Sequence, residues 1–332
     1  MAFSVFTLNL STNSTLMAII GTDINRASWE LDQGNLVGIP TETVYGLAGN
    51  ALDAKVVAKI FSVKKRPVFD PLIVHIPSFQ YLNTIVSEVP DMANLLASHF
   101  WPGPLTLVLP RKDIVPDLIT SGLSTVAVRV PNHPLTLELL NQLDYPLASP
   151  SANPFGYISP TTAKHVDQQL GNEISYILDG GPCKIGIEST IIGFESDQPL
   201  IYRPGGISID DITALIGEVT LKDSTDGPVA PGMLSGHYAP RKLLILGKIP
   251  KLLEEYGSEK VGILSLKDSF HQIEDRYQIQ LSLTGDLAEA ARNLFGSLRK
   301  LDAMPITYIF AELVPNHGLG LAINDRLQRA AS

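Results

Sequence analysis

Between residues 35 and 206 the chain repeats one device, a β-favouring run of seven or eight residues that meets Pro or Gly at or near its ends. The runs are "NLVGIPT" (35–41), "PLIVHIP" (71–77), "PLTLVLP" (104–110), "STVAVRVP" (124–131), "SYILDGG" (175–181), "STIIGFE" (189–195) and "LIYRPGG" (200–206). Proline has no N–H to give to a ladder, so these runs predict short strands with abrupt ends. Helical patterns lie between some of them. Residues 53–64 place Val57, Ile60, Phe61 and Lys64 on one helical face behind Asp53 as cap. Residues 90–99 and 133–143 also predict helices, and residues 159–171 predict a short one with a Ser-Pro start and a Gly stop.

The pattern changes after Gly217. Residues 220–240 hold three prolines, three glycines and no apolar periodicity, which marks a linker or a functional loop. Beyond it, strands are predicted at 242–247, 260–266 and 306–313, with helices at 285–303 and 320–331. Strand alternating with helix implies a small parallel α/β domain. The expected division is an N-terminal extension (1–17), a first domain (18–217), a linker or lid (218–240) and a second domain (241–332).

Charge and cysteine content narrow the function classes. The 332 residues carry a formal charge of −9, which argues against a dedicated nucleic-acid binder but permits a local basic pocket for a small polyanion. A single cysteine, Cys183, cannot build a disulfide framework or a cysteine-based zinc site. No apolar run is long enough for a membrane span, and the N-terminus lacks the basic and apolar regions of a signal peptide. A cytoplasmic location is the expectation.

Several stretches carry candidate chemistry, each with a structural alternative. In "KKRPVFDPLIVH" (64–75), Lys64, Lys65 and Arg66 end a predicted helix against Pro67, with His75 one strand away. They complement the helix dipole or form a rigid phosphate clamp. "PSANPFGYISPT" (150–161) offers Ser151, Asn153, Ser159 and Thr161 around a turn, either as a helix lead-in or as a second wall of neutral donors. In "IPTETVYGLAGNA" (39–51), Thr41, Thr43 and Tyr45 follow a strand end, where α/β proteins hold ligands, or start a capped helical turn. Arg129, in the apolar strand "VAVRVP", needs an acceptor, which is a structural carboxylate or a substrate carboxylate. Ser189 heads one strand and Arg203 follows another.

Taken in order, "PTETVYGL", "KKRPVFDPLIVH", "WPGPLTLVL", "TVAVRVP", "PSAN…G…SPT", "GIESTI", "RPGG" and "PGM…HYAP" resemble the YrdC-domain family, the threonylcarbamoyl-AMP synthases in their long two-domain form, over about residues 18–331. The resemblance implies an open, twisted α/β sheet with a concave cavity, followed by a small Rossmann-like α/β domain on a linker that can cover it. It implies condensation of L-threonine, bicarbonate and ATP, with Mg2+ travelling on the ATP; no carboxylate cluster in the sequence reads as a dedicated metal cage. The product would pass to a tRNA threonylcarbamoyl-transfer complex that modifies an adenosine next to the anticodon; the acidic balance argues against stable tRNA binding by this chain itself.

Carried onto this sequence, the resemblance gives Lys64 and Arg66 as the catalytic phosphate holders, with Thr106, Ser149, Ser151, Asn153 and Arg203 also on the ATP. Thr41, Thr43, His75, Arg129 and Ser189 would bind threonine, His237 and Tyr238 would belong to the lid, and Lys65 would be solvated. Two positions depart from the common pattern. Asp70 stands where relatives often have Asn, and an acid there must avoid the phosphates or pair with a cation. Leu234, Ser235 and Gly236 replace a basic–aromatic–basic stretch, so a lid is expected without cations from those three. Rival readings are a hydrogenase-maturation carbamoyl-transfer enzyme, disfavoured by one cysteine and a short chain, an RNA-binding module and an idle paralogue.

Overall fold

The computed structural model describes residues 17–195, 198–222 and 236–331. Positions 234 and 235 of the linker lie outside the described residues. The first domain is built on strands β1 (Ile19–Gly21), β2 (Val37–Ile39), β3 (Gly46–Asn50), β4 (Ile73–His75), β5 (Leu105–Pro110), β6 (Thr125–Arg129), β7 (Leu147–Ala148), β8 (Tyr176–Leu178), β9 (Thr190–Glu195), β10 (Gln198–Arg203) and β11 (Thr220–Leu221). They form one mixed sheet in the order β1-β8-β2-β3-β7-β4-β6-β5-β9-β10-β11. The second domain holds β12 (Leu243–Leu246), β13 (Val261–Ser265), β14 (Gln278–Gln280) and β15 (Tyr308–Ala311), all parallel in the order β12-β15-β13-β14. An α/β fold with a second, Rossmann-like α/β domain is what the sequence predicts.

Strand directions decide where the chemistry gathers. β4 and β6 run parallel and end side by side, His75 opposite Arg129. β5 runs against β6, so it begins at that rim; β9 runs parallel to β5 and begins there too, Leu105 opposite Thr190. β10 returns against β9 and finishes at the same rim, Arg203 opposite Ile191. Residues spread over 128 positions of sequence thus share one end of the sheet.

Local chemistry explains the helix that supplies the cations. Ala54–Lys64 is capped by Asp53, whose carboxylate accepts the Lys55 N–H at 2.8 Å. Val57, Ile60, Phe61 and Lys64 are all buried on its inner face. Lys65 then takes a left-handed backbone (φ 53°), which ends the helix and throws its own side chain into solvent while Arg66 turns inward. Three adjacent cations therefore face in two different directions.

Some local expectations shift. Gly46–Asn50, for which no strand is predicted, is strand β3, antiparallel to β2 and β7. Thr41–Thr43 starts no helix. The helix expected over 159–171 runs Ala163–Leu170, because Thr162 rather than Ser159 caps it, accepting from the His165 N–H. The linker expected from residue 218 begins later, since β11 pairs with β10 and extends the sheet. Short β1, β7 and β14 and the helices Ile24–Asp32, Ile209–Ile216 and Ile249–Tyr256 were not anticipated.

The two domains share a core. Val44, Ile158, Ile187 and Tyr238 pack in one cluster with Leu294, Phe295 and Leu298 of the helix Leu287–Asp302. Arg299 of that helix donates to Ser159 O at 3.2 Å and to Gln169 Oε1 at 2.8 Å, and Asp302 accepts from Tyr157 OH at 2.6 Å. Among the described residues, no helix is long and apolar enough to cross a membrane.

Candidate active site

A cavity of about 50 Å³ opens at the rim, lined by Thr41, Thr43, Arg66, His75, Arg129, Ser149, Ser151, Glu188, Ser189, Arg203, His237 and Tyr238 among others. Most residues picked from sequence meet here. Lys64, Thr106 and Asn153 stand one layer behind the wall.

Lys64 is 1% exposed, and its ammonium donates to Ser151 O at 2.5 Å and Asn153 O at 2.6 Å. Phe155 N–H closes the link by donating to Lys64 O at 2.7 Å. The helix end is thereby fastened to the Ser-Ala-Asn turn. Burial and the charge of Arg66 push the Lys64 pKa well down, with Asp70 opposing. The Asn153 amide spends its N–H groups on Pro154 O and Tyr157 O, both at 2.8 Å, lacing the same loop. Thr106 Oγ1 lies 2.7 Å from Ser189 Oγ and fixes that hydroxyl from behind.

Arg66 faces the cavity but is not loose. It donates to Asp70 O at 3.0 Å and Pro71 O at 2.8 Å, and its Nη2 lies 2.9 Å from the Asp70 carboxylate. Asp70 is fully buried in this pair. Asp70 is thus matched to a cation, the expectation for a carboxylate kept off phosphate. Across the cavity, Arg129 donates to Gly103 O at 3.0 Å and Thr43 Oγ1 at 2.9 Å, and its Nη2 lies 2.6 Å from Glu42 Oε1. The structural carboxylate considered for Arg129 therefore exists, and the guanidinium still forms part of the cavity wall.

Thr41 donates to Val44 O at 2.6 Å, so in its 2.8 Å contact with Thr43 it must be the acceptor. The two hydroxyls hold the turn after β2 and hand the Thr43 oxygen to Arg129. Arg203 donates to Ser189 O at 2.9 Å and to Ser189 Oγ at 3.2 Å, tying the end of β10 to the start of β9. Its pKa is lowered by burial, while nearby Glu188 and Asp325 hold the charge on.

Two histidines complete the wall. Burial, then the Arg129 charge, drives the His75 pKa well below its ordinary value. Burial, then Arg66, Lys64 and Arg203, does the same to His237. Both imidazoles are neutral at pH 7. His237 packs edge-on against Phe155 with ring centroids 5.2 Å apart, and Tyr238 stacks on Phe295 at 5.4 Å. Four buried atoms of wall residues have no protein partner among the described residues: His75 Nδ1, Ser149 Oγ, His237 Nδ1 and Tyr238 OH. Buried polar atoms are rarely left so, and four around one cavity mark a polar ligand's place.

Sequence reading missed Glu42, Glu188 and Arg326. Glu188 accepts from Ser159 Oγ at 2.6 Å and from Arg326 Nε at 2.8 Å. Each acid lies inside a quoted motif, and Arg326 sits on the buried stripe of its helix with Ala322, Ile323, Leu327 and Ala330. A charge on an apolar stripe was the available signal.

Comparison with known proteins gives two adjoining matches. Residues 30–205 match the Sua5/YciO/YrdC family, described as "Telomere recombination", and residues 207–332 match "Threonylcarbamoyl-AMP synthase, C-terminal domain". A Pyrococcus abyssi protein named threonylcarbamoyl-AMP synthase is 43% identical, covering 93% of this chain and 94% of its own length. A Bacillus subtilis protein of the same name is 40% identical, covering 97% and 94%. The crystal structure of Pyrococcus abyssi Sua5 complexed with L-threonine superposes with TM-score 0.87 at 40% identity, covering 95% of this chain and 97% of that one.

Proposed function

Because this chain belongs to the two-domain threonylcarbamoyl-AMP synthase family, we propose that it condenses L-threonine, bicarbonate and ATP to threonylcarbamoyl-adenylate and pyrophosphate. The observation that carries this reading is the shared rim. Arg66, Arg129 and Arg203 stand around one cavity with His75, Ser149, Ser189 and Tyr238, and four of the buried wall atoms await a polar partner. Threonine's amine adds to bicarbonate with loss of water, giving a carbamate. A carbamate oxygen attacks the α-phosphorus of ATP, and pyrophosphate leaves. No protein nucleophile is consumed, so the protein's work is alignment and stabilisation of spread negative charge.

The proposed roles are those that the family resemblance gives. Arg66 and Arg203, with Ser149 and Ser151, take the phosphate side; Thr41, Thr43, His75, Arg129 and Ser189 take threonine. Lys64 and Asn153 act by fixing the loop that carries Ser151, and Thr106 by fixing Ser189. Mg2+ enters on the triphosphate as part of the substrate. His75, held neutral, can exchange a hydrogen bond with the threonine hydroxyl without adding charge, and a site with such a partner discriminates against substrates lacking the hydroxyl. A cavity of about 50 Å³ is far below the roughly 300–1,000 Å³ of ordinary small-molecule sites. His237 and Tyr238 form part of its wall, so the segment bearing them must withdraw to admit ATP and then return as a lid. The product is a mixed anhydride, which a transfer complex would consume in modifying a tRNA adenosine.

The test is pyrophosphate release from ATP with threonine and bicarbonate omitted in turn. Dependence on both supports the reading, and turnover indifferent to threonine refutes it. Arg66→Ala is expected to lose roughly 100-fold or more in kcat. Since that change strips Asp70 of its buried partner, Arg66→Met with Asp70→Asn separates loss of phosphate binding from loss of fold. Full activity in the folded double variant would refute the phosphate role.

A further inference from the structure

Arg326 belongs to the last helix, Gly320–Ala330, yet it is fully buried between the domains. Its Nε donates to Glu188 Oε2 at 2.8 Å, its Nη2 to Pro204 O at 3.0 Å, and its Nη1 to Asp325 of its own helix. Its guanidinium carbon lies 5.1 Å from the centre of the Tyr238 ring, a cation–π distance. Each partner across the interface is a cavity residue or the immediate neighbour of one. Glu188 lines the cavity and precedes Ser189; Pro204 follows Arg203; Tyr238 lines the cavity from the segment after the linker. The second oxygen of Glu188 accepts from Ser159 Oγ at 2.6 Å, extending the link to the loop that carries Ser151.

The wall leaves little slack between these contacts and the chemistry. A Cβ on Gly205 would lie 2.3 Å from the Ser189 carbonyl carbon, so the Pro204–Gly205 backbone rests directly on Ser189. Moving Pro204 moves Ser189. Buried ion pairs are poor stabilisers, and apolar substitutes of similar size often do as well or better. Stability alone therefore does not explain a charge here. A planar fork with five donors can hold three groups at fixed relative positions, which a lysine or an apolar side chain cannot.

We propose that Arg326 is a positioning residue for the synthase reaction: through its guanidinium the C-terminal domain sets the Ser189–Arg203 wall and docks Tyr238 against it, so the cavity is complete only when the last helix is seated. The role rests on the proposed activity for its catalytic meaning, but not for its structural one. Withdrawal of the 236–240 segment takes the Tyr238 ring off the guanidinium face, while Glu188 and Pro204 stay on the wall. One side chain thus couples lid position to wall geometry. By reciprocity, a substrate that favours the ordered wall also favours the docked lid.

The test uses the full chain. Arg326→Lys keeps the charge and loses the fork. Arg326→Met with Glu188→Gln removes both charges, so that no carboxylate is left buried and unpaired. Amide hydrogen exchange is followed at 236–239, 188–190 and 205–207 without substrates, and kcat and KM are measured for threonine and ATP. Both variants are expected to show exchange at least 10-fold faster at 236–239, a kcat lowered at least 10-fold and a raised threonine KM, at a temperature where circular dichroism shows them fully folded. In a Tyr238→Ala background, Arg326→Lys is expected to change lid exchange less than twofold further, because its ring partner is already gone; full additivity would mean separate effects and would overturn the coupling. Wild-type exchange and wild-type kinetics in both folded variants would overturn the proposal outright. If the wild-type protein fails to turn over threonine, the proposed activity falls, whereas the exchange measurements still decide the positioning role.

Discussion

Replacing Lys64 by Met tests whether this lysine acts as a loop anchor. Its ammonium holds Ser151 O and Asn153 O, and its backbone carbonyl holds the Phe155 N–H. Methionine has nearly the same length and keeps the backbone bond, but leaves both loop carbonyls without their donor. Hydrogen bonds to an ionised group contribute about 1.5–3 kcal/mol each, so about 3–6 kcal/mol is lost. Sparing the protein a buried ammonium returns several kcal/mol, leaving a net destabilisation of about 1–3 kcal/mol. At roughly 2–4 °C per kcal/mol for a chain of this size class, Tm should fall by about 2–12 °C. The local signature is more telling than the melt. Exchange at the Ala152, Asn153 and Phe155 amides should accelerate while amides in β4 and β6 stay protected, and the KM for ATP should rise because Ser151 is no longer held. An unchanged melt with unchanged loop exchange would refute the anchoring role.

Three further outcomes are expected. Glu42→Gln leaves the Arg129 charge without its buried carboxylate, which should cost up to about 3 kcal/mol while increasing the thermal stabilisation given by added threonine, whose carboxylate can take the vacated partner's place; a smaller threonine shift than in wild type would exclude Arg129 as its ligand. His75 and His237 are bases with lowered folded pKa values, so the unfolded chain takes up protons first as pH falls through about 6.5. Their contribution is complete above neutral pH and declines below it, by up to about 1.4 kcal/mol per pH unit for each; urea melts that superimpose at pH 7.5 and 5.5 would contradict this. Gly205→Ala drives a Cβ into the Ser189 backbone at 2.3 Å, and overpacking of about 1–3 kcal/mol should appear with at least a 10-fold lower kcat/KM, whereas normal kinetics would show that the Ser189 position is not critical.

The local elements were legible wherever a local cause acts. Asp53 caps its helix, and Leu287–Asp302 begins after Asp286, whose carboxylate accepts the Glu289 N–H at 2.6 Å. The seven strand runs from 35 to 206 all contain strands, shortened at the prolines and glycines that bound them. The helix start at 159–171 slipped because two hydroxyls, Ser159 and Thr162, could each serve as cap, and Ser159 is taken by Glu188 from 29 residues away. Gly46–Asn50 escaped notice because its two glycines suggest a turn, while its strand character comes from neighbours β2 and β7 that only the folded sheet supplies.

By itself the sequence determined the secondary elements, the two α/β units and the residue types that can hold an anion beside an amino acid. Tertiary structure alone decided which of those residues face the cavity and which stand behind it. Lys64 and Arg66 are two positions apart and equally cationic, yet one is spent on carbonyls of a distant turn and the other lines the wall. Arg326 meets Glu188 across 138 residues. Periodicity and capping record forces that act within a few residues, whereas a side chain's partner is fixed by strand order and domain packing, which leave no local trace in the chain.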